Sequence, residues 1–273
     1  MTDKYLLYLD LLGFGALVDS GSSKIAKLYA VLDDLNVHRH EAFTTIVFSD
    51  TVLIYNRLDP ASDNDHQYLN MYSCEFVQDL MSRTAGSGLA FRAVLMRGDF
   101  RHDHMVHIEA FYGSALVGAY RLEKSLQCVG LFMHASSRES NKIFNTQRFD
   151  QDLDYVFVTQ GMDSLQMFSA GQYPMPYGKD LIASAGIEFN LAWELSALYE
   201  IYRMREDPTP AIRAKYLAAW QMYEKQYPGL PSFLAEHDFH LSELIPEVDW
   251  VPALEVHGQN AERYGLSVVL PPI

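Results

Sequence analysis

Tyr5-Leu6-Leu7-Tyr8-Leu9-Asp10-Leu11-Leu12-Gly13-Phe14-Gly15 is the stretch on which the fold turns. An apolar run of strand length ends on one carboxylate, and a glycine-punctuated turn follows at once. A buried strand gains nothing from an aspartate at its end unless something positive sits there. The complementary stretch is Thr45-Ile46-Val47-Phe48-Ser49-Asp50-Thr51-Val52-Leu53-Ile54-Tyr55. Two β-rich runs flank Ser49-Asp50, which reads as a hairpin with an acidic tip. Either aspartate alone reads as a turn or N-cap residue. Two on neighbouring strand ends form a clamp for divalent cations that carry a nucleoside triphosphate.

Outward from these stretches, Ile25, Leu28, Leu32 and Leu35 recur at helical spacing after the Ser20-Gly21-Ser22-Ser23 loop. Strands are expected at 43–48 and 51–57. Leu69, Tyr72, Phe76, Leu80 and Met81 mark a second helix, and Leu89 to Met96 form the next strand. Residues 101–107 read as a polar hairpin tip, with Ile108 to Tyr112 returning. A helix opens at Gly113-Ser114, and Val129–Met133 and Tyr155–Val158 are two more short strands. The opening order β-α-β-β-α-β predicts an α+β fold of ferredoxin-like or palm type, an antiparallel-rich sheet with helices on one face. From about Ala183 the pattern becomes helical, with Ile187, Leu191, Leu195, Leu198 and Tyr202 on one stripe and a break at Asp207-Pro208-Thr209-Pro210. We therefore expect a domain over 1–180 and a helical C-terminal extension over 181–273, with a last strand at Leu266–Leu270.

Composition narrows the function. The chain has 273 residues, 49% hydrophobic and 13% aromatic, which suits a globular protein with a sizeable core. A formal charge of −14 argues against nucleic acid or an anionic membrane as partner. No apolar run approaches the roughly 18 residues of a membrane span, and no signal peptide is visible, so a cytoplasmic location is expected. Cys74 and Cys128 lack metal or disulfide spacing and read as buried thiols. His102, His104 and His107 with Asp99 and Asp103 fall on the expected hairpin tip, where spaced histidines read as solvated.

Asp10-Leu11-Leu12-Gly13-Phe14 resembles the Asp-Ile-x-Gly-Phe that opens the catalytic domain of class III nucleotidyl cyclases. Ser49-Asp50 resembles the Gly-Asp of that family's second metal site. Gly113-Ser114-Ala115-Leu116-Val117-Gly118-Ala119-Tyr120-Arg121-Leu122-Glu123 resembles its Gly-Asp-x-Val-Asn-x-Ala-x-Arg-Met helix, with Arg121 at the transition-state arginine. Phe91-Arg92 and Gly98 match the preceding strand, and the resemblance covers roughly residues 4–160. It implies a homodimer with its active sites at the interface and in-line attack of the ribose 3′-hydroxyl on the α-phosphate. Asp10, Asp50 and the Leu11 carbonyl would hold two Mg²⁺ or Mn²⁺ ions. Backbone amides of Gly13-Phe14-Gly15 would approach the phosphates, and Arg121 would come from the other subunit.

The departures from the pattern carry information too. Val117 replaces the family's helix asparagine, and Ile46 and Ala110 replace the lysine and aspartate that read adenine. Neither can hydrogen-bond a base edge, and the guanine-reading acid is also absent. Among stand-alone members, the chain looks similar to the pyrimidine cyclases of the Pycsar antiphage system. That resemblance implies cyclic UMP or cyclic CMP as product, with UTP the preferred substrate, and a separate cyclic-nucleotide-sensing effector downstream. Thr44, on the strand face of Ile46, and Arg97 are candidates for reading the base. Lys179, in the Pro- and Gly-rich Tyr173–Lys179 loop, is a candidate for the phosphates. An adenylyl or guanylyl cyclase with an unusual pocket and a silent cyclase-like binding domain are the alternatives.

Overall fold

In a computed structural model, which describes residues 2–19, 21–176 and 179–273, the chain forms two compact units. One comprises residues 1–25, 32–79 and 90–158, the other 26–31, 80–89 and 159–273. The second unit takes in 159–180 as well as the 181–273 span.

The first unit is built on β1 (Lys4–Leu11), followed by α1 (Phe14–Asp19), α2 (Ser22–Asp33, of which 26–31 belong to the second unit), β2 (Phe43–Phe48) and β3 (Thr51–Asn56). Then come α3 (Asp63–Thr84, of which 80–84 belong to the second unit), β4 (Phe91–Gly98), the hairpin of β5 (Arg101–His104) and β6 (Glu109–Tyr112), and α4 (Ser114–Ser125). β7 (Gly130–His134), α5 (Ala135–Arg138), β8 (Asn145–Arg148) and β9 (Leu153–Phe157) complete it. Seven strands form one sheet in the order β2-β3-β1-β4-β7-β9-β8, and β5-β6 stand apart as a ribbon. β2-β3-β1-β4 are antiparallel throughout, as the β-α-β-β-α-β order predicts, and only β4-β7 pair in parallel.

All eight β1 residues are buried, as a central strand flanked on both sides requires. Its continuous apolar run is therefore a consequence of position. β8, Asn-Thr-Gln-Arg, carries no apolar alternation and was not legible as a strand; its pairing with β9 alone makes it one. α4 packs on β1 and β4. Gly113 at its start has φ 139°, and a Cβ there would sit 2.2 Å from the Asp99 carbonyl oxygen, so only glycine fits.

The second unit contains α6 (Gln160–Ser169), α7 (Lys179–Ala185), α8 (Ile187–Met204), α9 (Pro210–Gln226), α10 (Leu230–Glu236), α11 (Leu241–Leu244) and α12 (Val251–Glu262). α8 is touched by α6, α7, α9 and α12, so it is buried beyond the expected single stripe, with Glu194 and Ser196 inside. Residues 266–270 are not a strand: Val269 donates one backbone hydrogen bond to Gly86 O, 2.7 Å, without a ladder. Cys74 and Cys128 are buried free thiols, and burial pushes Cys128 up to about 12. Among the described residues, no helix is long and apolar enough to cross a membrane.

Candidate active site

Asp10 is the penultimate residue of β1, opposite Thr51 of β3 on one side and Arg92 of β4 on the other. Asp50 precedes Thr51 in the β2–β3 turn, and its carbonyl accepts a hydrogen bond from Leu11 N, 2.9 Å. The register thus brings the two aspartates to one end of the sheet, Asp10 within β1 and Asp50 in the turn that leads into the neighbouring β3. Asp50 is half-buried, and its carboxylate has no hydrogen bond or ion pair with a described residue. Gly13 turns the chain at φ 75°, and nothing lies within 4 Å of a Cβ placed on Gly13 or Gly15, so both glycines face open space beside Asp10. Phe14 between them is half-buried at the start of α1.

Asp10 is only 8% exposed and is not alone. Arg92 donates from Nη2 to Asp10 Oδ2, 3.0 Å, and from Nη1 to the Leu126 carbonyl, 2.9 Å. The same Nη2 meets Glu123 Oε1 on α4, whose side chain is wholly buried. Burial first, and the Asp10 carboxylate second, push the Glu123 carboxyl above its usual range against the pull of Arg92. Arg92 therefore lies between two carboxylates at the C-terminal end of a helix, where a cation is favoured. A charge at the end of an apolar strand is what flagged Asp10; the same test on Phe91-Arg92-Ala93-Val94-Leu95, and a carboxylate on the apolar face of α4 at Glu123, identify the other two members.

Arg121 is exposed on α4, and no described residue pairs with it. Residues two apart on a helix point about 200° apart, so burying Glu123 toward Asp10 turns Arg121 outward. It does not meet Asp10 or Asp50 of its own chain, and it does not pair with Glu123.

The base-reading candidates fall elsewhere. Thr44 and Ile46 lie back along β2 from the acidic turn, opposite Tyr55 and Leu53, and the Thr44 hydroxyl accepts from Arg57 Nε, 3.2 Å. Arg97 is opposite Tyr5 while Arg92 is opposite Asp10. Five residues of strand put it about 17 Å along the sheet. There Asp3 takes its guanidinium in a bidentate pair, 2.8 and 2.6 Å, which lowers the Asp3 pKa. The sequence could not separate Arg92 from Arg97, because only the β1–β4 register assigns each to an end. The side chain of Lys179 lies outside the described residues.

Hard carboxylate oxygens suit Mg²⁺ or Mn²⁺. Asp10, Asp50 and the Leu11 carbonyl are the donors that fit, and an ion on Asp10 competes with Arg92 for its carboxylate.

No protein-family model matches the sequence, and no curated protein does. Among solved structures, the chain is similar to nucleotidyl cyclase domains. The monomeric guanylyl cyclase domain of the RhoGC fusion protein from the aquatic fungus Blastocladiella emersonii has 16% identity and a TM-score of 0.47, over 57% of this chain and 95% of that one. The adenylyl cyclase CyaB from P. aeruginosa has 11% identity and a TM-score of 0.42, over 57% and 93%. A bacterial light-regulated adenylyl cyclase has 12% identity and a TM-score of 0.40, over 57% and 90%.

Proposed function

We propose that the chain is a metal-dependent pyrimidine nucleotide cyclase that converts UTP to cyclic UMP and pyrophosphate, acting as a homodimer with its active sites at the subunit boundary. The observation that supports this reading is that β1 and the β2–β3 turn bring Asp10 and Asp50 to one end of the sheet, while α4 turns Arg121 outward. The ribose 3′-hydroxyl loses its proton to solvent, its oxygen forms the new bond to the α-phosphorus, the bond to the bridging oxygen breaks, and pyrophosphate leaves. Bound Mg²⁺ or Mn²⁺ ions supply neutralisation of the triphosphate and a more acidic 3′-hydroxyl. Asp10, Asp50 and the Leu11 carbonyl hold those ions, and amides of Gly13-Phe14-Gly15 approach the phosphates. Arg121, outward on its own chain, stabilises charge on the phosphoryl group in the partner's site.

Exposed apolar side chains support a second copy: Phe48 and Val47 at the acidic hairpin, and Val117 and Tyr120 on the face of α4. Ile46 and Ala110 offer a purine no hydrogen bond, which favours a pyrimidine; CTP is the alternative substrate. In this reading residues 1–180 carry the reaction, Lys179 reaches the phosphates, and 181–273 are an accessory extension. The product is a cytoplasmic second messenger of antiphage defence, read by a separate effector.

Incubation of the purified protein with each of the four NTPs and Mn²⁺ tests this. Cyclic UMP is the expected product, and a product from ATP or GTP alone overturns the base assignment. The hold of Arg92 on Asp10 favours a second reading, a silent domain that binds nucleotide without turnover. Tight nucleotide binding with no product under any divalent metal would select it.

A further inference from the structure

We propose that the β5–β6 hairpin carries a site for a divalent transition-metal ion of the zinc class, formed by His102, His104 and Glu109. His102 and His104 are two apart on β5 and so share one face, and Glu109 on β6 lies directly opposite His104. His104 Nδ1 is 3.1 Å from Glu109 Oε1, and His102 Nε2 is 3.4 Å from Glu109 Oε2. One donor atom of each residue lies within 4.8 Å of the others. A tetrahedral ion bonded at about 2.0–2.2 Å spaces its ligands about 3.3–3.6 Å apart, so both histidines already stand off the carboxylate at nearly that distance. The His102–His104 pair closes by rotation of His104, which is 68% exposed.

Two details go beyond a pair of surface contacts. His102 Nε2 is buried and makes no hydrogen bond, although an imidazole nitrogen out of water ordinarily has one. Its other nitrogen, Nδ1, is 2.6 Å from the Tyr55 hydroxyl, and the ring lies 4.4 Å from that of Phe111. If Nδ1–H donates to Tyr55, Nε2 is left as a bare lone pair aimed at Glu109. That is the outer-shell arrangement that orients a metal-bound histidine. Two imidazoles and a carboxylate select zinc-class ions over Mg²⁺. The three residues leave a fourth position open to water or another ligand.

The hairpin supplies a reason for the ion. β5 and β6 pair only with each other, and a two-stranded ribbon is marginally stable alone. An ion bridging both strands clips it. The other acidic residues expected there are engaged elsewhere: Asp99 accepts from Thr2 N and Oγ1, and Asp103 accepts from the Tyr112 hydroxyl. The site stands whether or not the chain turns over nucleotide.

The test is titration of the metal-free 273-residue chain with Zn²⁺, followed by calorimetry, and with Co²⁺, followed by visible d–d absorption, both in excess Mg²⁺. We expect one Zn²⁺ bound through this hairpin and a tetrahedral Co²⁺ spectrum, both lost in His102→Ala and His104→Ala. Tyr55→Phe should weaken binding about 10-fold, as outer-shell losses do. Hydrogen exchange of residues 101–112 should slow on adding Zn²⁺. His104 is exposed, so His104→Ala remains a folded control if His102→Ala is not. Zn²⁺ binding of equal affinity in wild type and His104→Ala, or none in wild type, overturns the proposal.

Discussion

Arg92 stands directly opposite Asp10 across the β1–β4 ladder, and its guanidinium joins that aspartate to Glu123 of α4. A single cation thus ties strand end to helix end where the acidic hairpin turns. The carboxylate proposed to hold metal is already partnered, which separates the consequences of altering Asp10 from those of altering Asp50.

Asp50→Ala removes a half-buried carboxylate that has no hydrogen bond or ion pair with a described residue. We expect turnover to fall about 100-fold or more while the melting temperature holds, because lost metal ligation costs several kcal/mol of transition-state stabilisation. Cyclisation rates and a circular dichroism melt on the same sample check this. A large drop in melting temperature instead makes Asp50 structural.

Arg92→Leu leaves two carboxylates buried together without their cation. Breaking such a cluster costs about 3–5 kcal/mol. Adding Glu123→Leu to Arg92→Leu should recover much of the loss, since an uncompensated buried charge is then gone. Chemical denaturation of the two single variants and the double variant measures the coupling; strict additivity contradicts it.

Arg121→Ala changes an exposed helix residue, so stability should move by no more than about 0.5 kcal/mol. Turnover should fall about 10³-fold, the scale of an arginine acting on a transferring phosphoryl group. Mixing Arg121→Ala chains with Asp50→Ala chains should restore activity, because one of the two sites in a mixed dimer is intact. A mixture as inactive as its parents means that Arg121 does not act across a shared boundary.

Glu194 gives a pH dependence to the helical unit. Burial pushes its carboxyl up to about 8, although Gly161 N and Met162 N donate to it at 2.8 and 2.7 Å. Between the ordinary carboxyl value of 4.5 and about 8, the folded chain keeps a proton that the unfolded chain has released. Stability therefore falls as pH rises through that window and levels off above it. Glu194→Gln should remove about one proton from the difference between folded and unfolded states. Unfolding free energy measured from pH 5 to 8 in both proteins reads that slope, and identical slopes exclude Glu194 as its source.

The sequence singles out Asp10, Asp50 and Arg121 because each is marked by its immediate neighbours. An acid ending an apolar run, an acid in a tight turn and an arginine at a fixed offset from a glycine are local signals. Glu109 was not: at the start of a short returning strand it looks like any surface acid, and only its register opposite His104 gives it a neighbour. Lys179, read as the last residue of the Tyr173–Lys179 loop, instead opens the helix Lys179–Ala185, while the described residues 173–176 are irregular as expected.

By itself the sequence determined the order of the opening strands and helices, the antiparallel core and the two acidic strand ends, because side-chain periodicity and turn chemistry act over a few residues. Which charges meet was decided by the tertiary structure alone. Arg92 reaches Asp10 across 82 residues of chain, while Arg97, five positions later on the same strand, is carried to the other end and held by Asp3. Strand register is a long-range property: shifting it would re-pair every one of these charges without altering any local pattern.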